Sequence, residues 1–367
     1  MKSYLGVDVH AIIKAHRFPS KIEAELVQFG EQTLSKPQRS RRKKSVVGTA
    51  TIEARIYGIT SSISTLFDLG FKLTTLQNVG ERHIEALHSA WVEEGGVHQL
   101  SVGRVHNLNV YLRLLFDVHF KKHGLVRPVS QHSKNCVRTY IATHDKSWVG
   151  NGVDVHLLVN QIRDSSVEGR IVALQLELAW AFGLRVREAW MAHPVSLLEQ
   201  ALDGELMRID RGTKGGRARD VPVTDLLQLD VLLRASDLAR GAGSSMIPTK
   251  YNLAEWKGVF YRIMKTHGIV RSTDDGGLGV TAHGLRHQYM HAFYQRLTGH
   301  EPPIRSSQVI DPDVHKACLK TLIEAVGHSD TRKANSYLST PRAMQKLQRL
   351  RLLLNGGETT STLEGAV

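Results

Sequence analysis

The chain has 367 residues, 41% of them hydrophobic, with 48 Lys or Arg against 35 Asp or Glu and a formal charge of +13. This length suits two domains and the apolar fraction excludes wholesale disorder, while the basic balance points to a polyanionic partner, with nucleic acid ahead of a membrane surface. Cys136 and Cys318 exclude a disulfide-stapled scaffold or a cysteine-rich zinc module; Asp8 and the lack of a long apolar run lead us to expect a soluble cytoplasmic protein.

Residues 1–35 are weakly patterned and yield no element. The run KPQRSRRKK follows, with Lys36, Arg39, Arg41, Arg42, Lys43 and Lys44 and no acid. Such a run cannot bury itself, so 1–50 read as an irregular region with a basic arm, either a solvated linker or a grip on DNA. From Ile59 to Gly124 the spacing is helical. Thr74 is placed to cap a helix carrying Leu76, Val79, His83, Ile84 and Leu87, and Gly95-Gly96 stops it. A second helix from Ser101 carries Val105, Leu108, Val110, Leu112 and Leu115, with Arg104 and Arg113 among its exposed cations. Residues 51–128 therefore form a helical domain, and the polar stretch 129–154 a linker.

From Val155 the pattern becomes mixed α+β, and the whole is expected to be mainly α with a small antiparallel sheet. A helix through Leu174, Leu178 and Phe182 ends at Gly183. Residues 195–223 read as three short strands with turns at Asp203-Gly204 and Lys214-Gly215-Gly216. Helical patterns return around 225–240, 252–267, 283–297, 314–326, 331–338 and 341–354, so this domain spans 155–355 and 356–367 form a flexible tail. The charge divides as +6 in 1–50, +3 in 51–150, zero in 151–330 and +4 in 331–367. The surplus thus lies outside the body of the second domain.

Four segments carry candidate chemistry. In AFGLRVREAW, Arg185 follows a helix stop, with Glu188 placed to hold it. Lys214 stands at a glycine-flanked hairpin tip, free to reach a phosphate or deliver a proton. In TAHGLRHQYMHAFYQRL, capped by Thr281, Leu285, Tyr289, Ala292 and Phe293 form a buried face, while His283, Arg286 and His287 share another near the helix N-terminus, where an anion is favoured. His283, His287 and His291 also have a spacing open to metal, but Gly284 stands where a zinc-protease helix needs glutamate, so no metal site is assigned. Finally, EAVGHSDTRKANSYL holds His328 and, nine residues on, Tyr337.

Taken in order, GLRxxE, a hairpin lysine, HxLRH, and GHS with its tyrosine resemble the tyrosine recombinases of the phage-integrase family over residues 155–355. Residues 59–124 similarly resemble that family's core-binding domain. The resemblance implies a catalytic set of Arg185, Lys214, His283, Arg286, His328 and Tyr337, supported by Glu188 and His287, and no cofactor. Tyr337 would form a 3′-phosphotyrosyl bond with double-stranded DNA. The two arginines and His328 would bind the phosphate, Lys214 would protonate the leaving oxygen, and His283 would assist Tyr337. Both arginines are expected to matter more for rate than for folding. The resemblance further implies integration or excision of a mobile element, a homo-tetramer on DNA, an accessory DNA-bending or directionality factor, no membrane, and a place on the nucleoid. A catalytically silent DNA-binding regulator is the alternative. The 42 residues from Arg286 to His328 exceed the compact family pattern; the excess, around 298–318, reads as a surface loop, with a DNA- or subunit-contacting insertion as the rival. The closing helix, with Met344, Leu347 and Leu350, packs either on its own domain or on a neighbouring copy.

Overall fold

A computed structural model describes residues 7–35, 47–204, 206–239, 241, 243–306, 310–328 and 330–357, with only the backbone of 351–357. The basic run at 36–44, the expected tail beyond 357, and Ser329 of the GHS motif lie outside these residues. The chain divides into two compact units, 1–139 and 140–367. No helix among the described residues is long and apolar enough to cross a membrane.

The first unit is helical: α1 (Val9–Ala15), α2 (Ser20–Gln32), α3 (Thr49–Asp68), α4 (Glu81–Val92), α5 (Val102–Arg113) and α6 (Val129–His132). Residues 7–35 are not irregular. Ile22, Leu26 and Phe29 recur at one helical face of α2 and enter the same core as Ile56, Ile84 and Leu108. Two further expectations are corrected. Thr74 caps nothing; Thr75 caps a short 3₁₀ turn, Leu76–Asn78, and α4 starts only after Gly80. The expected linker 129–154 is split, since α6 packs into the first unit whereas Trp148 is fully buried in the second.

The second unit is built around α8 (Val167–Phe182), which packs against α7 (Val155–Ser165), α9 (Val186–Met191), α11 (Leu226–Leu238), α12 (Leu253–Thr266) and α13 (Ala282–Thr298). A helix apolar on nearly every side must be enclosed, and α8 buries Val172, Leu176, Leu178 and Phe182 on different faces. Between α9 and α11 run α10 (Pro194–Asp203), β1 (Leu206–Ile209) and β2 (Arg219–Pro222). The sheet is antiparallel and two-stranded, pairing Leu206 with Pro222 and Ile209 with Arg219. The first of the three expected strands is a helix: Pro194 sits in its first turn, where a missing N–H costs nothing, and Leu197 is its buried anchor. The chain closes with α14 (Pro312–Ala325), α15 (Asn335–Leu338) and α16 (Pro341–Gly357). Along α16, Met344 and Leu347 are half-buried and Leu350 is exposed.

Candidate functional site

Gly183 ends α8 in the left-handed conformation, and the next turn delivers Arg185 to the start of α9. There the Arg185 backbone N–H donates to Glu188 Oε2 at 2.7 Å and its Nη1 to Glu188 Oε1 at 2.6 Å, so one carboxylate fixes both the helix entry and the guanidinium. Glu188 is fully buried and has a larger partner. Arg219, on the inward face of β2, donates Nη1 and Nη2 to its two oxygens at 2.7 and 2.8 Å. This fork-to-fork pair is the strongest polar contact of the site. Burial alone would raise the Glu188 carboxyl, but the hydrogen bonds and charge of Arg219, aided by Arg185, outweigh it and hold the carboxyl below its ordinary range.

The end of α14 collects the arginines. Gly327, at φ +69°, closes this helix with His328 N donating to Ile323 O at 2.9 Å and Gly327 N to Glu324 O at 2.9 Å, a Schellman arrangement. A Cβ on Gly327 would also lie 2.9 Å from Arg219 Cδ. The turn places His328 at the site and leaves the last helical carbonyls, the negative end of the helix dipole, facing three cations. Arg219 Nε donates to Ala325 O at 2.9 Å, Arg185 Nη2 to Val326 O at 3.3 Å, and Arg286 Nη2 also to Val326 O.

Arg286 is 0% exposed. Besides Val326 it donates Nη1 to Gly183 O at 2.6 Å and Nε to Tyr337 Oη at 3.2 Å. Tyr337, on α15, is 6% exposed and ringed by imidazoles: its centroid is 4.7 Å from His287, 6.1 Å from His283 and 6.4 Å from His328. The fold thus unites Arg185, Glu188, His283, Arg286, His287, His328 and Tyr337. Lys214 stays exposed on the tip between β1 and β2, at a 3₁₀ turn, Lys214–Gly216, and its charge is felt at His328. On α13 the expected apolar face is modified, because Ala292 is exposed while His291 is buried. Among the described residues no group of three His, Cys, Asp or Glu is arranged to hold a metal ion.

In the first unit, Arg104 and Arg113 lie nine residues apart on α5, hence on opposite sides of it; Arg113 is exposed and pairs with Asp117 at 3.5 Å. They form no common stripe. The positioning residue that sequence reasoning missed is Arg219. Its signal was the alternation within β2, where Arg219 and Val221 share the buried face.

Burial, followed by nearby cations, drives the His283 and His328 imidazoles down to about 4, although His283 itself remains accessible. Burial, then the adjoining histidines, drives His287 to about 2. In the first unit, burial takes His88 to about 4. All four are neutral at pH 7. Their unfolded values lie near 6.5, so below that pH the unfolded chain binds more protons and stability falls as pH drops towards 4. Acidifying from pH 7 to 5 should cost about 2 kcal/mol for each fully buried imidazole, read from urea unfolding at the two pH values. A flat profile would contradict the neutral assignment.

The family model described as Integrase matches residues 154–292. No curated protein matches the chain. Among solved structures, the integrase of the Tn1549 transposon in complex with transposon right end DNA is 13% identical at a TM-score of 0.51, covering 94% of this chain and 99% of that one. The XerH site-specific recombinase bound to a palindromic difH substrate is 16% identical at 0.51, covering 95% and 94%. A lambda integrase dimer bound to a COC′ core site is 14% identical at 0.52, covering 90% and 80%. At these identities the likeness is one of fold.

Proposed function

We propose that this chain, whose residues 154–292 match the integrase family model and whose fold is like that of solved tyrosine recombinases, is a member of that family that cleaves and rejoins double-stranded DNA at a specific site through Tyr337. The observation that carries this reading is the hydrogen bond from Arg286 Nε to Tyr337 Oη, with Arg185 and His328 arranged around it. A buried guanidinium against a phenol oxygen has little purpose in a passive DNA-binding surface, but it suits an oxygen that must attack a phosphate.

In this mechanism Tyr337 Oη attacks the scissile phosphorus while the bond to the 5′ oxygen breaks, giving a 3′-phosphotyrosyl enzyme and a 5′-hydroxyl. The phosphodiester energy is retained in the new ester, so no external cofactor is required. Arg185 and Arg286 meet the charge on the non-bridging oxygens, and their carbonyl and carboxylate partners hold them before DNA arrives, which lowers reorganisation in the transition state. His328 donates a further hydrogen bond to the phosphate. Lys214, on its exposed tip, protonates the departing 5′ oxygen. His283 takes the phenolic proton: it is more accessible than His287 and its pKa is less depressed. Attack by a 5′-hydroxyl then reverses the step and rejoins the strand.

The reading extends to integration or excision of a mobile element by a homo-tetramer assembled on DNA with an accessory bending or directionality factor, at the nucleoid. Lys36, Arg39, Arg41, Arg42, Lys43 and Lys44 are its proposed electrostatic grip on the duplex, joined by Arg104 and Arg113. The test is covalent. Wild-type protein incubated with nicked duplexes of random sequence should give a denaturant-resistant DNA adduct that peptide mapping places on Tyr337, and Tyr337→Phe should give none. Binding without any adduct would favour the silent regulator instead.

A further inference from the structure

The helix that carries the nucleophile is too short to hold itself. α15 has four residues, fewer than an isolated helix needs, and its carbonyls have little helix left to bond to. Two residues past Tyr337, Ser339 adopts φ +64° and ψ −164°, a region used almost solely by glycine. A buried side chain persists there only when its surroundings dictate the backbone.

Those surroundings are specific. Ala142 N donates to Asn335 O at 2.8 Å, and Ile304 N to Leu338 O at 2.9 Å. Between them, His291 Nε2 donates to the Tyr337 carbonyl at 2.9 Å from a ring that is 1% exposed. Helix α13 therefore holds the nucleophile at both ends, by Arg286 at the phenol and by His291 at the backbone. Behind His291 stands Asp145, its Oδ1 3.7 Å from Nδ1. Asp145 is fixed by Arg305 Nε at 2.7 Å and Ser147 N at 2.8 Å, while Arg305 Nη2 also donates to Ser147 Oγ at 2.7 Å. Gly284 permits this approach, because a Cβ there would come within 2.5 Å of Lys146 O.

Arg305 belongs to the segment expected as a surface loop. Its neighbours Pro302, Pro303 and Ile304 are instead buried, and contacts run inward from Arg305 to Asp145 and from Ile304 N to the Leu338 carbonyl. We propose that His291, Asp145 and Arg305 are positioning residues, a brace that fixes the Tyr337 backbone so that its hydroxyl meets the arginines. The extra length between Arg286 and His328 supplies the outer member of that brace. This rests on the reading of Tyr337 as nucleophile.

The test uses the full chain with His291→Ala, His291→Gln and Arg305→Ala. Glutamine keeps an N–H donor for the Tyr337 carbonyl. Without DNA, amide exchange across 335–339 should rise about tenfold in His291→Ala and Arg305→Ala, with exchange in α8 unchanged. On a nicked duplex selected by adduct formation with wild type, the adduct rate at saturating duplex should fall about tenfold at unchanged half-saturation, and His291→Gln should recover most of it. Wild-type exchange at 335–339 in both alanine variants, or a glutamine variant no better than alanine, would overturn the brace. Should the selection yield no wild-type adduct, the recombinase reading falls, and the exchange measurement alone decides the brace.

Discussion

Replacing Arg286 with alanine should lower folding stability by about 3–5 kcal/mol and the rate of adduct formation by at least about 10³-fold. The first effect arises because this guanidinium is enclosed. Its removal opens a cavity under α8 and α14 and strips donors from the Gly183 and Val326 carbonyls and from Tyr337 Oη. The expectation that both arginines matter for rate more than for folding is therefore predicted to hold for only one of them. Arg185, whose side chain is 21% exposed, fits it; Arg286 does not. Arg286→Lys keeps the charge but loses the planar fork, so it should recover part of the stability and little of the rate. Urea unfolding and single-turnover adduct formation at saturating duplex measure the two effects separately. An alanine variant as stable as wild type would contradict the buried role.

Removing Glu188 should be comparably severe for a different reason. Alanine there leaves Arg219, 5% exposed, as a buried cation without its carboxylate, which costs about 3–5 kcal/mol. It also frees the Arg185 guanidinium and backbone N–H, so the geometry proposed to bind phosphate is expected to be lost together with stability. A double variant separates these consequences. Pairing Glu188→Ala with Arg219→Met removes the orphaned charge and should recover much of the stability, since apolar replacement of a buried ion pair is often neutral. Activity should stay low, because Arg185 remains unsupported. If the double variant is no more stable than Glu188→Ala, the stranded charge is not the source of the loss.

What could be read in the sequence follows from distance along the chain. Arg185 with Glu188, His283 with Arg286 and His287, and His328 with Tyr337 are local spacings, and each maps onto one turn, one helix face or one cap. Arg219 acts across 31 residues to Glu188 and 106 to Ala325, and nothing local separates it from Arg208, Arg211 or Arg217 beyond the strand alternation. The brace joins positions 145, 291, 305 and 337, an arrangement that exists only after folding. At 195–202 the apolar residues fitted either period, and tertiary burial of Leu197 decided for helix. The helices at 9–32 carried an apolar stripe that the neighbouring basic run obscured.

The anchoring of the arginines on α14 has a consequence for how this sequence is free to drift. Three guanidiniums are steered by the carbonyls of Ala325 and Val326, atoms that every amino acid supplies alike. The side chains at these two positions answer only to packing, so small apolar exchanges there leave the arginine cluster intact. Gly327 has no such latitude, since both its backbone angle and the Arg219 stem against it forbid a Cβ. The arrangement of the three guanidiniums is thereby written largely in main chain, and one glycine carries the constraint that spares its neighbours.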